Sequence, residues 1–142
     1  MKTAKIILIL TILFVIVVAF TISTKEYYHS EKNPVLDEIR RRFTLLSPDY
    51  AKIPLKTGKE SFTEDKSVIT LCITNPITNS YYDMNTLTYV ALHELSHVLT
   101  KAEGKESHGT EFKGNFTKLL DQAAQLGLYN PNKAIPATYC KL

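Results

Sequence analysis

Cysteine, charge of one sign and internal repetition are all scarce in this 142-residue chain, and each scarcity removes a class of protein. Two cysteines, Cys72 and Cys140, are too few for a cross-linked framework. They pair if the domain meets an oxidising compartment and stay buried thiols if it does not. The chain holds 17 Lys+Arg against 14 Asp+Glu, a net charge of +3. The first 24 residues carry two of those lysines and no acid, so the remainder has 15 against 14, or +1. A near-neutral domain gives no electrostatic case for nucleic acid as a partner. Arg40-Arg41-Arg42 is a local patch, read as a solvated helix face beside a membrane. No internal repeat is present, and the length leaves no room for a second ordinary domain.

What the chain does have begins with a long apolar run. After Lys2 and Lys5, Ile6 to Ile22 is interrupted only by Thr11 and Thr21. As a helix it would be about 25 Å long at ~1.5 Å per residue, near the short limit for crossing a bilayer. No clear Ala-x-Ala site closes it, and Val17-Val18-Ala19 is a weak candidate for cleavage. The expectation is therefore a single-pass anchor over residues 1–24 rather than a cleaved signal. Positive charges on both flanks leave its orientation open. A polar, aromatic stalk over 25–33 and one domain over 34–142 complete the expected division.

Periodicity predicts three helices in that domain. Asn33-Pro34 reads as an N-cap with proline in the first turn. Val35, Leu36, Ile39, Phe43 and Leu46 follow at helical spacing, and Ser47-Pro48 ends the pattern. Residues 48–60, with two prolines and a glycine, read as loop. Ser61–Thr63 and Ser67–Ile73, joined by the polar Glu64-Asp65-Lys66, predict a β-hairpin. Asn85 is the expected cap of a second helix from about Thr86 to Thr100, with Leu87, Val90, Ala91, Leu95 and Val98 inward. Thr110 caps a third, with Phe112, Phe116, Leu119, Leu120, Ala123 and Ala124 on one face and Gly127 as its stop. Asn115-Phe116-Thr117 matches a glycosylation acceptor but falls inside this helix.

On the second helix, residues 93–97 read His-Glu-Leu-Ser-His. Positions four apart differ by about 40° around a helix, so both imidazoles leave one face on successive turns and can reach one ion. Glu94, rotated about 100° from His93, is placed to hold a water beside the metal rather than to ligate it. Zinc that acidifies the water and a carboxylate that takes its proton constitute the chemistry of a zinc metallopeptidase. Catalytic zinc takes three protein ligands and keeps one position for solvent. His108 is the favoured third ligand; Glu103, Glu106, Glu111 and Asp121 are the competitors. The metzincin spacing, with Gly three and His six residues after the second His, does not match. For an oxyanion partner, Tyr81, Tyr82, Tyr129 and Tyr139 all stand as candidates.

His93-Glu94-Leu95-Ser96-His97 followed by His108-Gly109-Thr110-Glu111-Phe112 resembles the SprT-like and Wss1-like (WLM) metallopeptidases. The stretch Ile69 to Leu99, with Tyr81-Tyr82-Asp83-Met84-Asn85-Thr86-Leu87, is similar to small membrane-anchored WLM-like proteins of large DNA viruses. The resemblance spans about residues 34–126. It implies an α+β, minigluzincin-like domain: a helix, a small antiparallel sheet, the His-Glu-x-x-His helix and a packing helix. It further implies Zn2+ on His93, His97 and His108, Glu94 as general base, and Phe112 packing the third helix on the second. Val68 to Ile73 would be the sheet edge for a protein or peptide substrate. The cellular relatives act on proteins crosslinked to DNA, a substrate not carried over to a near-neutral domain. The loop between His97 and His108 is longer than in many members. The alternative reading is a catalytically inactive, zinc-containing, membrane-anchored interaction or assembly protein.

Overall fold

The computed structural model describes residues 6, 7, 9–18 and 30–140, apart from the side chains of residues 105 and 106. Its ordered body is α+β, with three helices around a three-stranded mixed sheet. Helix α1 (Pro34–Leu46) starts as its sequence dictates. Asn33 accepts a hydrogen bond from the Val35 amide at 2.9 Å, and Pro34 occupies the first turn. Its inward stripe of Leu36, Ile39 and Phe43 is buried. The basic patch on its outer side is neutralised locally: Arg40 pairs with Asp37, and Arg41 and Arg42 with Glu38. Arg42 also reaches Thr88 and the Leu128 carbonyl, so it is a strut between helices rather than a surface charge.

The expected antiparallel hairpin is present, but a third strand makes the sheet mixed rather than antiparallel. Strand β1 (Leu55–Thr57) lies in the segment read as loop and pairs parallel with β3 (Val68–Leu71). Strand β2 (Phe62–Glu64) pairs antiparallel with the other side of β3. The order is β1-β3-β2, so β3 is central and buried at all four positions. It is not a sheet edge; β1 and β2 are. The β2–β3 turn places Asp65 and Lys66 at φ of 46° and 53°, the two left-handed positions of a tight hairpin turn matched to strand twist. Residues 30 and 31, expected in the stalk, belong to the folded body. The Glu31 amide donates to the Leu55 carbonyl, and the Ser30 hydroxyl accepts from the Leu55 amide. Asn33, at the end of the expected stalk, caps α1, and residues 25–29 lie outside the described residues.

Helix α2 (Met84–Leu99) begins two residues earlier than expected, because Asp83 rather than Asn85 is the cap: it accepts from the Asn85 and Thr86 amides. Asn85 instead bonds the tail, accepting from the Asn130 amide at 2.7 Å. Helix α2 is the centre of the domain, with Leu87, Ala91, Leu92 and Leu95 fully buried. Thr88, Ser96 and Thr100 on its buried sides satisfy their hydroxyls on carbonyls four residues back. Helix α3 (Thr110–Gln125) packs Phe112, Leu119 and Ala123 inward and ends near Gly127, at φ 68°. Asn115 donates to Thr100, an interior role for the glycosylation triplet.

The expected membrane anchor is corrected. Among the described residues no helix is long and apolar enough to cross a membrane. In the apolar run, residues 6, 7 and 9–18 are described, and all are helical. The remainder of the run, with the weak cleavage candidate at Ala19, lies outside the described residues.

Cys72 and Cys140 form a disulfide across a sequence separation of 68, the alternative to the buried thiols. A loop of that size removes enough unfolded-chain entropy to stabilise the fold by up to about 4 kcal/mol. Replacing both cysteines by serine should lower the free energy of unfolding by that order in urea titrations; an unchanged midpoint would contradict it.

Candidate metal centre

The site is assembled from α2, the turn after it and strand β2. Capping at Asp83 and the inward Leu95 fix the rotation of α2, so His93 and His97 emerge half-buried on one side. The chain then leaves α2 at Thr100 and returns through Gly104, whose φ of 60° supplies the reversal. A short 3-10 turn, Gly104–His108, ends on His108. Two tethers hold this return. Lys66 donates to the Lys101 and Ala102 carbonyls at 2.6 and 3.0 Å, and the Glu111 carboxylate accepts from the amides of the same two residues.

The three imidazoles converge. One nitrogen from each of His93, His97 and His108 lies within 4.8 Å of the others. The Nε2 atoms of His93 and His108 are 3.4 Å apart. Tetrahedral zinc with bonds of about 2.05 Å separates its donor nitrogens by roughly 3.35 Å, so this pair stands at ligand spacing. Phe112 packs against all three rings, at centroid distances of 4.9, 4.5 and 4.8 Å to His93, His97 and His108. Phe116 adds a second contact to His93 at 5.3 Å. Helix α3 therefore supports the rings from behind. Burial, then the neighbouring His97 and His108, push His93 down to about 4. Burial, with His108 and Lys66, lowers His97 as well. Both rings are thus neutral near pH 7, the form that binds a metal.

Glu94 is 6% exposed and lines the same cleft. The Thr63 hydroxyl on β2 donates toward Glu94 Oε2 and the Glu94 carbonyl, both at 2.9 Å. Burial raises the carboxyl above its ordinary range, and the Thr63 bond opposes the rise. The competing acids are engaged or remote. Glu103 stands exposed at the mouth, 3.6 Å from Lys66. Glu111 caps the loop, and Asp121 is exposed on α3 beside Lys118 and Gln125. The Glu106 side chain is outside the described set.

The cleft has a volume of about 750 Å³, bounded by β2 and its turn on one side and by residues 102–104, 107 and 108 on the other. Of the four tyrosines, Tyr81 is exposed and Tyr129 packs near Tyr89. Tyr82 accepts from the Cys140 amide and stacks on Tyr139. Tyr139 bonds Ser61 and the Cys72 carbonyl, and burial pushes its phenol up to about 12. The helix motif located both histidines and Glu94. It gave no sign of Thr63 or Lys66, whose partners lie more than thirty residues away; the Asp65-Lys66 turn was the available hint.

No family model matches the chain, and no solved structure matches it. Three viral proteins do. Uncharacterized protein 136R of Invertebrate iridescent virus 6 is 42% identical over 92 residues, covering 63% of this chain and 50% of that protein. Uncharacterized protein 042R of Invertebrate iridescent virus 3 is 42% identical over 93 residues, 66% of this chain and 57% of that one. Uncharacterized protein R325 of Acanthamoeba polyphaga mimivirus is 35% identical over 117 residues, 80% and 56% respectively. The chain thus spans about half the length of the curated relatives it matches.

Proposed function

We propose that this domain is a zinc-dependent endopeptidase of minigluzincin-like build, similar to the SprT-like and Wss1-like metallopeptidases. The observation that carries the reading is the convergence of three imidazole nitrogens within 4.8 Å, beside the buried carboxylate of Glu94 in one cleft. Three imidazole nitrogen donors suit zinc, and a three-ligand set leaves a position open, as catalytic sites do and structural sites do not. Bound there, zinc supplies Lewis acidity that acidifies water and polarises a carbonyl.

The remaining work falls to the chain's own groups. Thr63 fixes Glu94 Oε2, leaving Oε1 to take a proton from water and deliver it to the leaving amine. His108, on a tethered turn, and His97, against Phe112, are held before any ligand arrives. Strand β2 borders the cleft as a sheet edge, where an extended peptide adds main-chain pairing. Phe62 on that strand, 48% exposed, offers an apolar contact. A purely structural metal site has no use for Glu94: burying a carboxylate on one threonine hydroxyl is costly.

The test is metal analysis of the purified full chain together with casein digestion. One zinc per chain is expected, with hydrolysis abolished by 1,10-phenanthroline and restored by added zinc. One zinc without hydrolysis of casein or unfolded protein would turn the assignment to an interaction protein. Absence of any bound metal would remove both.

A further inference from the structure

A second cavity, of about 400 Å³, opens beside the same two residues, His93 and Glu94. Tyr89 and Val90, one turn earlier on α2, form one wall, and Tyr139 and Cys140 of the C-terminal tail form the other. It adjoins the cleft, sharing Ser61, His93 and Glu94 as lining. The tail wall is fixed from several directions. The disulfide binds Cys140 to Cys72, and the Cys140 amide donates to the Tyr82 hydroxyl at 2.8 Å. Tyr139 donates to the Cys72 carbonyl, hydrogen-bonds Ser61 Oγ at 2.8 Å and stacks on Tyr82 at 4.8 Å. The hydroxyl of Tyr139 is spent on these bonds, so what it offers the cavity is its ring.

We propose that this cavity is a side-chain subsite taking a bulky apolar residue next to the cleaved bond, with Tyr139 as the residue that sets the preference. The proposal rests on the peptidase reading of the adjoining cleft. Tyr89, Val90, Tyr139 and the disulfide-bonded Cys140 supply its apolar walls; Ser61, His93 and Glu94 line it as well, and its remaining acid, Glu60, is exposed. A cavity of roughly 150 Å³ already binds benzene, so a leucine or phenylalanine side chain fits with room to spare. Glu60 and Glu94 together disfavour an acidic side chain. A peptide lying along β2 passes within reach of this opening because Ser61 belongs to both spaces.

The test uses the zinc-loaded full chain. Cleavage positions in casein, mapped by mass spectrometry, should place leucine or phenylalanine beside the cut about tenfold more often than alanine or aspartate, the scale of one side chain in an apolar pocket. Tyr139→Ala should erase that ratio, while Tyr139→Phe, which keeps the ring, should retain it. A ratio within one preparation is insensitive to partial misfolding. In parallel, N-acetyl-phenylalaninamide and N-acetyl-alaninamide are titrated into Glu94→Gln protein, with the Val90 methyl resonances as the readout. Only the phenylalanine probe should move them. Absence of hydrolysis with shifted Val90 resonances would leave the subsite standing and remove the peptidase reading. Hydrolysis without preference, a preference for lysine or arginine, or unmoved Val90 resonances would overturn the subsite.

Discussion

Glu94→Gln will abolish proteolysis, lowering kcat/KM by roughly 10³-fold, while zinc remains at one per chain. The substitution is nearly isosteric, and the amide oxygen can still accept from Thr63, so the contact to β2 survives. What disappears is the proton acceptor. A general base contributes about 10²–10⁴-fold, and roughly 10³ corresponds to about 4 kcal/mol of barrier. Because the carboxylate is buried with a hydroxyl as its partner, its removal also relieves a desolvation cost. The variant should therefore melt at the same temperature or higher. Lost activity with a lowered melting point would indicate a structural role, and retained activity would remove Glu94 from the mechanism.

His108→Ala should weaken zinc binding at least about tenfold, the loss of one of three ligands, with little effect on folding. His108 is exposed at the end of a short turn, whereas the turn's own tethers run through Lys66 and Glu111. Removing the imidazole therefore leaves the loop in place and subtracts a donor. Competition titration against a chromophoric chelator measures the change. Glu103→Gln serves as the control and should leave affinity unchanged, since Glu103 lies at the mouth against Lys66. Unchanged affinity in His108→Ala would remove it from the site.

The parts of the molecule legible in the sequence are those fixed by neighbours along the chain. Asn33-Pro34 and the Leu36/Ile39/Phe43 stripe specify α1 through local hydrogen bonding and a 3.6-residue period. Two histidines four apart declare their common face before any tertiary contact is known. The cap of α2 is Asp83 rather than Asn85 because two Asx residues two positions apart compete, and Asn85 is drawn off by the tail at Asn130.

What was not legible depends on long-range partners. Strand β1 is three residues between Pro54 and Gly58, too short to show a period, and it becomes a strand only because β3 lies beside it. That pairing makes β3 central and leaves β2 as the edge strand that borders the cleft. The disulfide depends on the tail folding back across 68 residues. The expected anchor rested on the composition of the apolar run alone; among the described residues no helix is long and apolar enough to cross a membrane.

The most direct measurement of the central claim is zinc K-edge absorption fine structure on the metal-loaded full chain. Convergence of His93, His97 and His108 predicts three imidazole nitrogens and one oxygen scatterer at about 2.0–2.1 Å, with one imidazole lost in His108→Ala. A first shell holding two imidazoles or fewer, or a sulfur scatterer at about 2.3 Å, would contradict it.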